Sequence, residues 1–299
     1  MCCIGYCGYV NPKVRGVLLM GWSEGYAEWI EGDTAYISVV FSWKLDQAYQ
    51  RAVWLKGMGY RVKAGGPAVT LNPIAISEVA EIGGDVKALA HHNPEATFTS
   101  RGCVNKCAFC AVPKIEGDLV ELEDWEVKPV ICDNNITATS IAHFDKVIDR
   151  LLEYGVVDVD FNQGLDARLL NEHHAERIGE LHKHKQLKAA RLAWDHIGLE
   201  DEFMAAHTLL REAGIPKKSI SVYALIGFND TPEDALYRLQ KIYDLGAYPC
   251  PMRFQPLDAK VKNEYVGEHW THRELQKYVR YWYGKRYFGA VPFEEFVNW

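Results

Sequence analysis

From about residue 96 onward, apolar runs of strand length alternate with stretches in which apolar residues recur every three or four positions, the spacing of one helical face. The strand-length runs fall at 97–100, 130–132, 156–161, 189–194, 219–228 and 251–255, and the helical patterns at 143–154, 171–184, 200–213 and 231–245. The last helix carries its own start signal. Thr231 is placed to cap it, Pro232 suits the first helical position, and Glu233 and Asp234 favour the positive end of the helix dipole. Repeated β–α units predict parallel strands joined by right-handed crossovers. The expected fold class is therefore α/β, with the six strands forming a partial (β/α)6 TIM-like barrel that does not close.

Ahead of this series, TAYISVVFSW, LDQAYQRAVWLKGMGY and RVKAGGPAV read as a separate β–α–β unit. Beyond about residue 260, Leu275, Tyr278, Val279 and Trp282 fall on one helical stripe, leaving Arg273, Lys277 and Arg280 as a solvated face. The expected division is a small α/β domain over 1–95, the partial barrel over 96–259 and an aromatic-rich helical extension over 260–299. No internal repeat or low-complexity segment interrupts it.

Composition narrows the function classes. Of 299 residues, 48% are hydrophobic, which is ample for a core of this size. The net charge of −7 argues against a generally basic nucleic-acid-binding surface. No apolar run reaches the length of a membrane span, and MCCIGYCGYV lacks the basic-then-apolar order of a signal peptide. The expected location is cytoplasmic, with no membrane partner. There thiols stay reduced, and clustered cysteines bind metal more often than they form disulfides.

That matters because SRGCVNKCAFC places Cys103, Cys107 and Cys110 in the spacing C-x₃-C-x₂-C, just after the first barrel strand. Structural zinc wants four tetrahedral ligands, usually from paired C-x₂-C motifs. Three thiolates suit a [4Fe–4S] cluster whose fourth iron is left open to a small ligand. Zinc completed by His91 or His92, or inert thiols, are the competing readings. Cys2, Cys3 and Cys7, with Cys250, offer a second metal site or are free thiols, and Cys132 reads as a small buried residue.

The three cysteines, with aromatic Phe109 before the last, resemble the radical S-adenosylmethionine (SAM) superfamily, and the resemblance spans roughly residues 96–257. It implies that the open iron is chelated by the amino and carboxylate groups of SAM. It further implies that one electron, delivered by a flavodoxin- or ferredoxin-like donor, cleaves the sulfonium to methionine and a 5′-deoxyadenosyl radical. Asp133, Asn134 and Asn135 stand where the superfamily often has Gly-Gly-Glu to hold the methionine amino group. Tyr223, Leu225, Gly227 and Asp230 stand in its G-x-I-x-G-x-x-E pattern, with Leu225 toward adenine; one glycine is kept and Glu has become Asp. Asp195 is the expected ribose acceptor. Turn formation, core packing and helix capping explain the same residues without a cofactor.

In VDVDFNQGLDAR, Val157, Val159 and Phe161 alternate with Asp158, Asp160 and Asn162. A buried parallel strand is normally apolar on both faces, so the polar row predicts a lumen lined by Asp160, Asn162, Gln163 and Arg168 that contacts SAM or substrate. Arg168 needs a partner, and Asp166 or Asp160 is placed to provide it; Arg191 is a further candidate for an anionic group. The N-terminal unit is similar to a shortened piece of a cobalamin-binding domain, but it lacks a D-x-H-x-x-G sequence, so cobalamin is the lesser expectation. The leading function is a radical SAM enzyme acting on an unidentified substrate, with peptide and nucleic acid among the open classes. A cobalamin-dependent radical methyltransferase and a non-catalytic metal-containing nucleic-acid-binding protein are the alternatives.

Overall fold

Alternate apolar positions in TAYISV and a helix with alanines on its inner face build the first layer of the protein. The structure, a computed structural model, describes residues 22–83, 88–283 and 290–297, so Cys2, Cys3 and Cys7 lie outside the described residues. Strands β1 (Tyr26–Glu31) and β2 (Thr34–Val39) form an antiparallel hairpin. Helix α1 (Leu45–Gly57) then crosses to β3 (Arg61–Gly65), parallel to β2. Helix α2 (Pro67–Leu71) follows, then β4 (Glu81–Ile82), parallel to β3, and α3 (Ala88–His92). Ile37, Val39, Ala48, Ala52, Leu55 and Ala64 form the buried core of this unit. The expected β–α–β unit is present. The preceding strand β1 escaped notice because its residues are mostly half-buried or exposed. AGGPAV does not continue as strand: Gly66 has φ +93°, and a Cβ there would meet Val39 O at 2.6 Å, so the chain turns into α2.

His92 is buried against this sheet, where Nε2 hydrogen-bonds Ser38 Oγ at 2.9 Å and Nδ1 pairs with Ser23 Oγ. Burial, with His91 next to it, pushes its pKa down to about 4. Unfolded, His92 gains a proton below its ordinary value of about 6.5, whereas folded it resists until about pH 4. Its contribution is thus complete above pH 6.5 and is lost as pH falls toward 4, on the order of 3 kcal/mol. Denaturant unfolding at pH 7 and pH 4.5 should show a steeper loss for wild type than for His92→Gln. Equal losses would mean that His92 is not held neutral.

The larger sheet draws its strands in chain order. They are β5 (Ala96–Thr97), β8 (Val130–Ile131), β9 (Val159–Phe161), β11 (Leu187–Ala193), β12 (Ile220–Ile226) and β13 (Tyr248–Arg253), each parallel to its neighbours, with short β10 (Leu165–Asp166) also on β11. The sheet is mostly parallel and is not closed. Between β5 and β8, β6 (Ser100–Arg101) and β7 (Val120–Glu121) form a separate antiparallel pair around the short helix α4 (Val112–Ile115). Every residue of β12 is buried, as a strand covered on both faces requires.

Helices α5 (Ile141–Glu153), α6 (Glu172–Lys183), α7 (Glu200–Glu212) and α8 (Pro232–Asp244) lie within a residue or two of the expected spans. Three of them begin at a side-chain cap: Ser140 accepts from His143 N, Asn171 from His174 N and Thr231 from Asp234 N. Phe144, Ile148, Leu192, Trp194, Phe203 and Leu239 share one core with the last helix, α9 (His272–Tyr283). Leu275, Tyr278 and Trp282 of α9 point into that core, and Arg273 and Arg280 are exposed. Among the described residues no helix is long and apolar enough to cross a membrane.

Two strands differ from expectation. The run 97–100 splits into β5 and β6, because Thr99 and Ser100 turn to bond the buried Asp133 carboxylate. The run 156–161 enters the sheet only at Val159: Asp158 has φ +60° and Val157 is 62% exposed, so the alternation begins before the strand does.

Candidate functional site

The loop between β6 and α4 carries the three cysteines, and its start is sterically fixed. Gly102 has φ +73°, and a Cβ there would lie 1.9 Å from Asp118 O, so no other residue fits. Glu116 then staples the loop shut, accepting from Arg101 Nη2 at 2.6 Å, Gly102 N at 2.9 Å and Asn134 Nδ2 at 2.7 Å. This draws the cysteine loop against the chain leaving β8. The result is an open cavity with about 680 Å³ of space, open solvent included. Cys103, Cys107, Cys110 and Phe109 form one wall. Asn134, Asn135, Gln163, Asp166, Arg168 and Asp195 contribute the others.

The thiols sit in a donor-rich setting. Cys103 Sγ accepts from Asn105 N at 3.4 Å and Asn135 Nδ2 at 3.7 Å. Burial pushes the Cys107 thiol up, and the adjacent Arg168 guanidinium pulls it back toward the thiolate. Arg168 pairs with Asp166 through Nε at 2.8 Å and Nη2 at 2.8 Å. Burial alone would raise the Asp166 carboxyl, but Arg168 outweighs it and holds it below its ordinary value. Asn105 Nδ2 (2.6 Å) and Asn135 Nδ2 (3.0 Å) also donate to Asp166 Oδ2. The Arg168–Asp166 pair expected from sequence is therefore present, and one polar network joins the cysteine loop to β10.

Among the described residues, no three His, Cys, Asp or Glu side chains converge on a point as ligands of one ion would. Neither His91 nor His92 lines the cavity: His91 stacks on Trp29 at 4.0 Å and His92 is held by Ser38.

Asp195 supplies the most telling polar atom. Its Oδ1 is buried without a hydrogen-bond partner among the described residues, on a residue that lines the cavity, and burial raises its pKa. An acceptor left unpaired costs about 1–3 kcal/mol, so a ligand hydroxyl at this place has a donor's role waiting for it. Asn134 is similarly open, because Oδ1 accepts no hydrogen bond from the described residues while Nδ2 is held by Glu116.

Four other expected cofactor contacts lie elsewhere. Asp133 is buried behind the wall, accepting from Thr99 N at 2.6 Å and Ser100 Oγ at 2.9 Å, and burial raises its pKa. Asn162 is buried off the cavity, its carbonyl accepting from Tyr223 Oη at 2.9 Å. Leu225 lines a second crevice, described below. Gly227 has φ +78° beneath Leu275, and its N–H donates to Asp230 Oδ1 at 2.8 Å. Arg191 is spent in a buried pair with Asp160 (Nη2–Oδ2 2.6 Å). Sequence reasoning missed Asn105 and Glu116. Glu116 is an ordinary acidic residue in a polar loop, and the tie from Asn105 to Asp166 spans 61 positions. No protein-family model matches the chain, and no curated protein or solved structure matches it.

Proposed function

We propose that this protein is a radical SAM enzyme that reductively cleaves SAM at a [4Fe–4S] cluster to begin radical chemistry on a substrate. The observation that carries the proposal is that the C-x₃-C-x₂-C thiols share a single cavity with the orphaned Asp195 carboxylate oxygen. Six parallel strands in chain order, with the cavity at the C-terminal ends of β8, β9 and β11, support reading the sheet as a partial (β/α)6 barrel with a separate N-terminal unit and an α9 extension.

When bound, the cluster and SAM supply the electron transfer and the 5′-deoxyadenosyl radical; a flavodoxin- or ferredoxin-like protein is the proposed electron source. The chain's own residues bind and orient. Cys103, Cys107 and Cys110 hold the cluster, and Arg168 offsets its negative charge beside Cys107. Asn134 Oδ1 takes the methionine ammonium, Asp195 Oδ1 the ribose hydroxyls, and Phe109 covers the adenine side. Asp133 supports the loop from behind.

Anaerobic reconstitution followed by dithionite and SAM should release 5′-deoxyadenosine and methionine in equal amounts. Asn134→Ala should keep the iron but bind SAM about ten- to a hundredfold more weakly, the worth of one charge-assisted hydrogen bond. A reconstituted, iron-loaded protein that leaves SAM intact under reduction would overturn the assignment. Unchanged affinity in Asn134→Ala would return that residue to a turn.

A further inference from the structure

A second crevice opens beside the cysteine cavity, and Phe109 belongs to both. It holds about 690 Å³ of space, open solvent included. One side is the loop after β2, where Phe41 and Trp43 stack with centroids 4.5 Å apart and planes 8° from parallel. The other side is the end of β13, where Arg253 and Phe254 face them. Ser42 Oγ donates to Ala259 O at 2.7 Å, so a direct bond ties the two sides together.

The aromatic surface is continuous. Phe109 meets Phe228 edge-on at 5.8 Å, and Phe228 meets Phe254 at 4.7 Å. Arg253 is the one charged residue of the crevice wall. Among the described residues no carboxylate pairs with it: Nη2 donates to Asn263 O at 2.6 Å and Tyr265 O at 2.7 Å, and Nε is buried without a partner. Burial pulls its pKa down, as expected of a cation taken from water without a counter-ion. Nη1 makes no hydrogen bond to the described residues. An anion there would relieve the cost of the unpaired charge, and flat apolar surface would cover the aromatic walls.

We propose that this crevice seats the substrate, a small molecule with a flat aromatic or conjugated body and one carboxylate or phosphate. Its role as substrate seat rests on reading the neighbouring cavity as the SAM site, since the shared Phe109 puts the two ligands side by side. Its anion selectivity rests on Arg253 alone and can be tested separately.

The full chain, both iron-loaded and iron-free, should be titrated calorimetrically with indole-3-acetate against 3-methylindole and with uridine 5′-monophosphate against uridine. At least one anion should bind tenfold or more tightly than its neutral partner in both preparations, and the winning pair identifies carboxylate or phosphate. Arg253→Gln should remove that preference, and Trp43→Leu should weaken both members of the pair. If Arg253→Gln fails to fold, the wild-type preference must still fall as salt rises. The proposal is overturned if neither anion binds at millimolar concentration, if anion and neutral partner bind alike, or if saturating SAM displaces the anion from iron-loaded protein. SAM cleavage assayed alongside separates the two readings. Cleavage without anion selectivity sinks the crevice proposal, whereas selectivity without cleavage sinks the radical SAM reading and with it the crevice's role as substrate seat.

Discussion

Replacing Cys103, Cys107 and Cys110 together with Ala should remove about four irons per chain and the broad absorption at the blue end of the visible spectrum. On the proposed assignment the effect is all or none, because the three thiols of the cavity wall are the cluster's ligands and metal binding draws their protons off. At Cys107 burial raises the thiol's pKa and Arg168 works against that rise. Each single Ala variant should also lose most of its iron, since two thiolates leave a further corner of the cube open to water. Folding should survive in all of them, because the loop is anchored by Glu116 and Gly102 and not by its sulfur atoms. Iron counting on anaerobically reconstituted protein checks this directly. Full iron in the triple variant would end the cluster assignment. A wild-type count near twice four, halved by replacing Cys2, Cys3 and Cys7, would place a second cluster at the N-terminus.

The elements of the fold were legible wherever a local signal existed. Thr231, Pro232 and the acidic pair after it announced α8, and the burial of β12 is foreshadowed by ISVYALI, apolar at every position but Ser221. β1 was missed because its residues are mostly half-buried or exposed, so no alternation marks it. The cysteine wall of the cavity was legible for the same local reason, since its three thiols lie within eight positions. The polar row of the third strand was legible as polar, but its use was not. Asp160 looks the same in sequence whether it lines a lumen or neutralises Arg191, and only the neighbouring strand decides. Asp133 likewise reads as a cofactor acceptor until Thr99 and Ser100 are placed against it. Long-range pairing of polar groups leaves no periodicity behind it.

Asp230 is the sharpest instance, and removing it should cost about 3–5 kcal/mol of a total stability of roughly 5–15 kcal/mol. It stands where the resemblance places a cofactor-side acid, yet its oxygens are already committed. Oδ1 accepts from Gly227 N at 2.8 Å and Trp270 Nε1 at 3.2 Å, and Oδ2 accepts from Arg238 Nη2 at 2.7 Å. Arg238 has no exposed surface, and burial lowers its pKa against the pull of Asp230 and Asp195. Asp230→Ala therefore strands a guanidinium in the core, whereas Asp230→Ala/Arg238→Met removes both charges and should lose much less than the two single changes added together. Denaturant unfolding of the four proteins checks the cycle, and Asp230→Ala within about 1 kcal/mol of wild type would rule the pair out as a support. The same variant should weaken SAM binding while keeping its iron. Arg238 Nη1 donates to Trp194 O at 2.8 Å and Nη2 to Leu225 O at 2.9 Å, which holds the ends of β11 and β12 on either side of the Asp195 carboxylate. The cysteine loop hangs from β6 and Glu116, on strands that Arg238 does not touch.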